Sequence, residues 1–534
     1  MKFYYYIVFA FLTLFTPLAF GGSEPWGLLI FNSTCIVSGA YILMKKQEFS
    51  FSPLSKTVLC LLFLIIILAS LQLFNQHTFL QKPAYIPFTL CKYYSLEGLS
   101  LFFSLTMLFF ALTETVKSSK EIKILILILT VNAVLTTLVS IGFRTEYIYS
   151  FTGKTFFASF GPFTSRNHGA QFVMISFFLS LFLWLPHFIL VKDERLPFKN
   201  VWAFLFSIIL FAGVFFTHSR GGVISLTLGI FVLCFLCFLY LIKQKNKKVI
   251  CLTSSVFIVT ILIYLIVQYS SALGLRVFGG GSDDARLLLY KAAINMLKDF
   301  PYTGVGFDAF SAAIDAYMPY ALKEFPRYLH NDWLEIVLSF GYIFGAIFIF
   351  FVSMIISKII RIFKILEPKK QIRIFILCAA LTGFSFTALV DFPFHLPACA
   401  MLFFITLAFT SVKSFYPNTE KIFVPLILKI MIIGFAGILL WFNFQYVRAW
   451  RNFIFVRQFA PQIQERELNT SLDLYPSPIY IRHTLAGKYK LLRSKTITEE
   501  ERYKIKQEIH SYSEEYLKQY PKDIYLSRLF VWTK

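Results

Sequence analysis

Long apolar runs, each closed by a short polar or charged stretch, recur along the chain up to about residue 446 and then stop. A helix needs about 17–25 residues to cross the hydrocarbon core of a bilayer. Runs of that length lie near 4–20, 26–44, 57–74, 98–113, 124–143, 169–191, 201–216, 223–242, 249–267, 333–357, 374–390, 396–412 and 430–446. They predict an all-α fold, a polytopic integral membrane helical bundle of about 13 transmembrane helices over residues 1–446. No convincing small-residue cleavage site follows the first run, which is therefore read as a retained helix. Beyond 446 the pattern turns polar. SLDLYPSPIYIRHTLAGKYKLL and EEERYKIKQEIHSYSEEYLKQYPKDIYLSRLFVW keep helical spacing with prolines between helices, predicting a small helical, tetratricopeptide-like tail at 447–534 that forms a cap or docks an assembly partner.

Composition agrees with the pattern: 57% of residues are hydrophobic, 15% are charged and the mean hydropathy is +0.67, far from a soluble chain. Charge orients the helices, because cytoplasmic loops keep lysine and arginine. Loops 45–56, 114–123, 192–200, 243–248, 358–373 and 413–421 carry 21 such residues, and the intervening short loops 21–25, 75–97, 144–167, 217–222 and 391–395 carry 6. The alternation predicts a cytoplasmic N-terminus and an outward C-terminus in a multi-pass protein of the cytoplasmic membrane. It also accounts for much of the net charge of +22 without nucleic acid as a partner. The eight cysteines lie mostly inside the runs and imply no disulfide framework.

On this topology seven of the eight histidines (His77, His168, His218, His330, His395, His483, His510) face outward, beside short motifs that the apolar pattern does not explain. In THSRGG (217–222), Arg220 stands at the mouth of a span with two glycines behind it. Such an arginine either snorkels to lipid phosphate or meets an anion at a helix N-terminus, where glycine lets a ligand approach the backbone. The outer loop at about 268–332 is the longest in the membrane region, and SDDARLLLYKAAINMLKDFP within it reads as an amphipathic surface helix. Arg286, in its first turn, opposes the helix dipole and calls for either a bound anion or a pair with Asp283 or Asp284. YLHNDWLEI (328–336) starts the next span, with Asp332 and Glu335 read as a capping pair. That leaves His330 to face the outer cavity, either as a base for a hydroxyl or as an interfacial hydrogen-bonding group.

SRGG (219–222), the arginine-bearing helix ending in P-x-x-G-x-G (Arg286 to Gly306), HND-x-L-E (330–335) and DFPFH-x-P (391–397) follow one another in order. Over roughly residues 155–410 the chain resembles the O-antigen ligase and Wzy-type O-antigen polymerase superfamily of bacterial membrane glycosyltransferases. The resemblance implies transfer of a glycan from an undecaprenyl-diphosphate donor to an acceptor hydroxyl at the outer, periplasmic face. It implies that Arg220 and Arg286, and with them Arg166 of SRNHGA, hold the donor diphosphate, and that His330 is the general base. His218, Asp391 and His395 are candidate supporting residues. Arginine forks on a diphosphate suffice without a metal or a cofactor, and one base with one displacement predicts inversion. The acceptor stays open between a lipid A core sugar, another lipid-linked repeat unit and a protein side chain. A transporter of lipid-linked glycans would instead place ionisable residues at mid-membrane, and a non-catalytic assembly scaffold would not depend on His330.

Overall fold

The structure is a computed structural model that describes residues 2–75, 85–142, 147–149, 155–157, 160–190, 198–243, 282–318, 326–416, 418–455 and 498–519, with isolated positions between 470 and 488 and at 530–531. Twelve of the predicted apolar runs coincide with helices. These are α1 (Lys2–Leu18), α2 (Pro25–Lys45), α3 (Pro53–Leu73), α4 (Lys92–Thr115), α5 (Ser119–Gly142), α6 (Arg166–Leu190), α7 (Phe198–Phe216) and α8 (Arg220–Lys243). After the surface helix α9 (Ser282–Asp299) follow α10 (Asp332–Phe363), α11 (Pro368–Thr387), α12 (Pro397–Thr410) and α13 (Leu426–Phe455). The run at 249–267 lies outside the described residues, as does most of the tail, of which α14 (Glu499–Gln519) is described. Eight of the described helices are long and apolar enough to cross a membrane, and Tyr4–Leu18, Asn200–Phe216 and Pro397–Thr410 are shorter apolar helices. The chain is a multi-pass, all-α membrane protein.

Helix α6 sits at the centre, packed on α5, α7, α8 and α11, while α4 is gripped by α2, α3 and α12. Their phenylalanines Phe172, Phe178, Phe182, Phe103 and Phe109 are fully buried. An apolar face does not by itself drive helices together in lipid, so packing and polar contacts fix their arrangement. Asn32 of α2 donates to Ser100 Oγ of α4 at 3.2 Å and to Asn443 Oδ1 of α13 at 3.2 Å.

Basic loops that the sequence separates widely meet at one end of the bundle. Strands β1 (Glu48–Phe51) and β4 (Glu420–Phe423) pair antiparallel there, Lys46 and Lys413 converge on Glu114 at 2.9 and 3.3 Å, and Lys358 donates to the Pro53 carbonyl. A second short hairpin, β2 (Tyr147–Tyr149) with β3 (Thr155–Phe157), precedes α6.

The starts of α6, α8, α10 and α12 lie at the opposite end. Helix α10 is broken at Gly341, whose φ of 83° is left-handed. The turn after α9 fills the break: Val305 and Gly306 donate their N–H groups to the freed carbonyls of Leu338 and Ser339, and Tyr342 donates to Pro301. Gly304, at φ 68°, lies so close to that backbone that a Cβ would overlap the Leu338 carbonyl. Buried Gln72 of α3 completes the joint, donating to Thr303 and Ser339 and accepting from Phe307 N–H. Backbone that leaves the helix at this depth is tolerated where protein groups satisfy it.

Candidate active site

Four of the sequence motifs meet at this end through a chain of side-chain hydrogen bonds. Ser219 stands just before α8; its Oγ accepts the Gly222 N–H at 3.1 Å, as an N-capping serine does. The same hydroxyl donates to Asn167 Oδ1 at 2.8 Å, Asn167 Nδ2 donates to Asp391 Oδ2 at 2.7 Å, and Asp391 Oδ1 lies 3.2 Å from His330 Nδ1. Asp391 Oδ1 also accepts the Phe392 N–H. SRNH, SRGG, HND and DFPFH are thus one network, although Asn167 and Asp391 are far apart in sequence.

This network sets the electrostatics of the pair. Burial works against a charge on Asp391, but the hydrogen bond and charge of His330, the neighbouring His168 and the Asn167 amide outweigh it and hold the carboxyl at about 2. A carboxylate can only accept, so the proton between them sits on Nδ1 of His330, and in the neutral ring it is Nε2 that presents its lone pair. The ring is further fixed edge-on against Phe392, 4.6 Å between centroids. His330 itself has φ 59°, a conformation that side-chain-bearing residues seldom take outside constrained sites.

Arg220 is the first residue of α8, directly after Ser219, and Arg166 opens α6, directly before Asn167. Two helix N-termini are therefore joined by the Ser219–Asn167 bond, each carrying an arginine. Arg286 falls in the second turn of α9 rather than the first. One turn further along, Tyr290 donates its hydroxyl to the His330 carbonyl at 2.8 Å, which ties the arginine's helix to the histidine. Both arginine side chains are partly exposed, and the side chains of Asp283 and Asp284, the expected alternative partners of Arg286, lie outside the described residues. His218 adopts φ 52° in the turn before α8 and donates its N–H to the Phe215 carbonyl. The glycines of SRGG have different duties from those expected. A Cβ on Gly222 would overlap Ala170 of α6, so this glycine serves helix packing, whereas a Cβ on Gly221 would meet only Ser219 Oγ, at an unstrained 4.0 Å.

One expectation needs correction. The cap of α10 is Asn331, whose side chain accepts the Leu334 N–H at 3.0 Å. Asp332 and Glu335 are not a capping pair: Glu335 accepts from Leu329 N–H, and Asp332 bonds Phe394 N–H and His395 Nδ1, the latter at 3.0 Å. His395 accordingly does not join His330 and Asp391. It lies beyond Phe392 in a buried cluster where its Nε2 is 3.3 Å from Asp308 and 3.6 Å from Glu335. Burial opposes a charge on this imidazole, yet Glu335, Asp308 and Asp332 raise its pKa well above the ordinary histidine value. Arg327 grips Asp308 through both carboxylate oxygens, reaches Glu97 at 3.5 Å and lies over the Tyr94 ring. Asp308, Glu335 and His395 form a trio whose donor atoms all fall within 4.8 Å of one another, the geometry of a cation-binding group.

Sequence reasoning missed Asn167, Ser219 and Tyr290 as members of the site and Asp308 and Arg327 as members of the cluster. Only the neighbourhood of Asn167 and Ser219 in flagged motifs pointed toward them. No curated protein matches the chain. The family model described as O-antigen ligase matches residues 204–350, a segment that contains Arg220, Arg286 and His330 and ends before Asp391 and His395. Residues 204–350 are thus similar to the O-antigen ligase family, the superfamily that the sequence motifs resemble.

Proposed function

We propose that the chain is a glycosyltransferase of the O-antigen ligase type, moving a glycan from an undecaprenyl-diphosphate donor to an acceptor hydroxyl at the outer face of the cytoplasmic membrane during lipopolysaccharide or other surface polysaccharide synthesis. The observation that carries this reading is the His330–Asp391 pair, linked through Asn167 and Ser219 to the arginine-bearing start of α8. Nε2 of His330 takes the acceptor hydroxyl proton as that oxygen attacks the anomeric carbon. The bond from that carbon to the phosphate oxygen breaks, and the charge gained by the diphosphate is held by Arg220 and Arg286, with Arg166 beside them. Asp391 stabilises the imidazolium that forms. Guanidinium forks bind phosphate oxygens bidentately, and such preorganised cations stabilise a leaving group where water is scarce. The chemistry needs no metal at the diphosphate, and a single displacement inverts the anomeric centre.

The deciding experiment deletes the gene and complements it with wild type or His330→Ala. Glycan chains that accumulate on the polyprenyl carrier identify a ligase to lipid A core. Single repeat units on a normal acceptor identify a polymerase instead, and loss of glycan from protein alone identifies a protein O-oligosaccharyltransferase. If wild-type and His330→Ala complements behave alike, the catalytic reading is wrong and transport of the lipid-linked glycan becomes the better account.

A further inference from the structure

We propose that Asp308, Glu335 and His395 form a divalent metal site, of the zinc or manganese type, that holds the His330–Asp391 pair in place from behind. The site is separate from the reacting atoms, since Phe392 lies between the two histidine rings, 4.6 Å from His330 and 6.4 Å from His395.

The donor set comes first. His395 Nδ1 is engaged by Asp332 at 3.0 Å, which leaves Nε2 facing Asp308 Oδ1 at 3.3 Å and Glu335 Oε1 at 3.6 Å. Bonds of about 2.1 Å to a tetrahedral metal make ligand-to-ligand edges of about 3.4 Å; the two edges from His395 Nε2 match that spacing, and all three donor atoms fall within 4.8 Å of one another. An imidazole whose other nitrogen is bound by a carboxylate is the usual arrangement of a metal-ligating histidine. One imidazole with two carboxylates suits zinc or manganese better than an all-oxygen magnesium or calcium site.

A second observation asks for a ligand. Glu335, whose side chain is 4% exposed, spends Oε2 on the Leu329 N–H, while its Oε1 is buried and makes no hydrogen bond among the described residues. A metal cation coordinated by Oε1 would give that oxygen a partner.

Charge points the same way. Asp308, Asp332 and Glu335 surround one imidazole, which carries at most one positive charge, and Arg327 is shared between Asp308 and Glu97. Replacing the Nε2 proton by a dication adds one unit of positive charge where the excess of carboxylates lies. Arg327 NH1 is also 3.3 Å from Asp308 Oδ1, so that oxygen is shared with the ion in the manner of an outer-shell partner. The ion would tie the 388–396 loop, which carries Asp391, to the start of α10, which His330 precedes, and to Asp308 of the outer loop.

The test is metal content of the tag-free, full-length protein in detergent, stripped with chelator and reloaded with Zn²⁺ or Mn²⁺. About one equivalent retained by wild type and lost in Glu335→Gln and His395→Gln is expected, with the wild-type thermal midpoint rising by about 3 °C or more on loading. Wild type that retains no more metal than the two variants, with an unmoved midpoint, overturns the site. Should the variants fail to fold, X-ray absorption of loaded wild type decides: one imidazole among oxygen ligands supports the assignment, and sulfur or several imidazoles refute it. None of these readouts depends on glycan transfer.

Discussion

Asp391 keeps His330 in the tautomer that a base needs, and an asparagine at that position would accept and donate with equal ease. Asp391→Asn is therefore expected to leave the protein folded and lower kcat by about 10²- to 10⁴-fold, as tautomer-fixing carboxylates do elsewhere. Asn167→Leu, one bond further away, should cost about tenfold. The double variant should be little worse than Asp391→Asn alone, because the residues act as a unit. Additive losses in a purified transfer assay would show that Asn167 acts separately. The charge also has a stability signature. The folded-state pKa of Asp391 is about 2, against an ordinary 3.8. Its contribution, about 2 kcal/mol, is full above about pH 5 and disappears as pH falls through the folded value. Denaturation in detergent should show wild type exceeding Asp391→Asn by a margin that is full above about pH 5, about halved near pH 3 and shrinking toward zero only below about pH 2; a margin unchanged at the acid end would mean that the charge is not what the site stabilises. The sequence singled out His330 from its place before a span and Asp391 from a motif of the resembled superfamily, without linking the two. Asn167 was not legible, since a lone asparagine at a helix start has many ordinary uses and its partner lies in a different motif.

The starts of α6 and α8 can meet only because one position lacks a side chain. Gly222→Ala is expected to push α8 off Ala170 of α6, costing about 1–3 kcal/mol as overpacking does and stretching the Ser219–Asn167 bond, so that stability and transfer fall together. Gly221→Ala, whose Cβ would meet only Ser219 Oγ at 4.0 Å, should fold normally. Thermal unfolding of the two variants in detergent checks the contrast, and equal midpoints would rule out the packing role. The break in α10 gives a second contrast, because Gln72 satisfies three backbone groups there. Gln72→Leu should destabilise by about 1–3 kcal/mol, chiefly by removing the acceptor of the Phe307 N–H. Periodicity located the helices on either side of these joints, since lipid depth demands long apolar runs and loops interrupt them. It could not show that α10 is two helices, that PYTGVGF is the segment wedged into the break, or that Asp332 serves His395 rather than the helix cap. Those facts depend on which backbone groups meet across hundreds of residues, and a hydropathy pattern contains no such pairing.

Across the whole molecule, the polar tail is packed against the same end as the site. Ile481, Leu485 and Ile509 form one buried cluster with Cys91 and Tyr94 at the start of α4, Ala309 beside Asp308, and Ala449 and Trp450 of α13. Tyr94 is the ring beneath Arg327, whose guanidinium carbon sits 3.9 Å from its centroid, so the tail bears on Asp308 through two contacts. This makes it more than an appended docking module: loosening it should unsettle the outer loop. Ile509→Asp places an unpaired charge in that cluster, and burying one is far more costly than exposing the helix that carries it. Helix α14 should therefore swing out while the bundle, whose own core lies elsewhere, stays intact. The expected record in hydrogen exchange is faster exchange at 92–97, 306–312 and 499–519, with α6, α11 and α12 unchanged. Transfer should decline through a weaker hold on the loop that carries Asp308. Faster exchange confined to α14, with full activity, would make the tail a separate module whose only business is with partners.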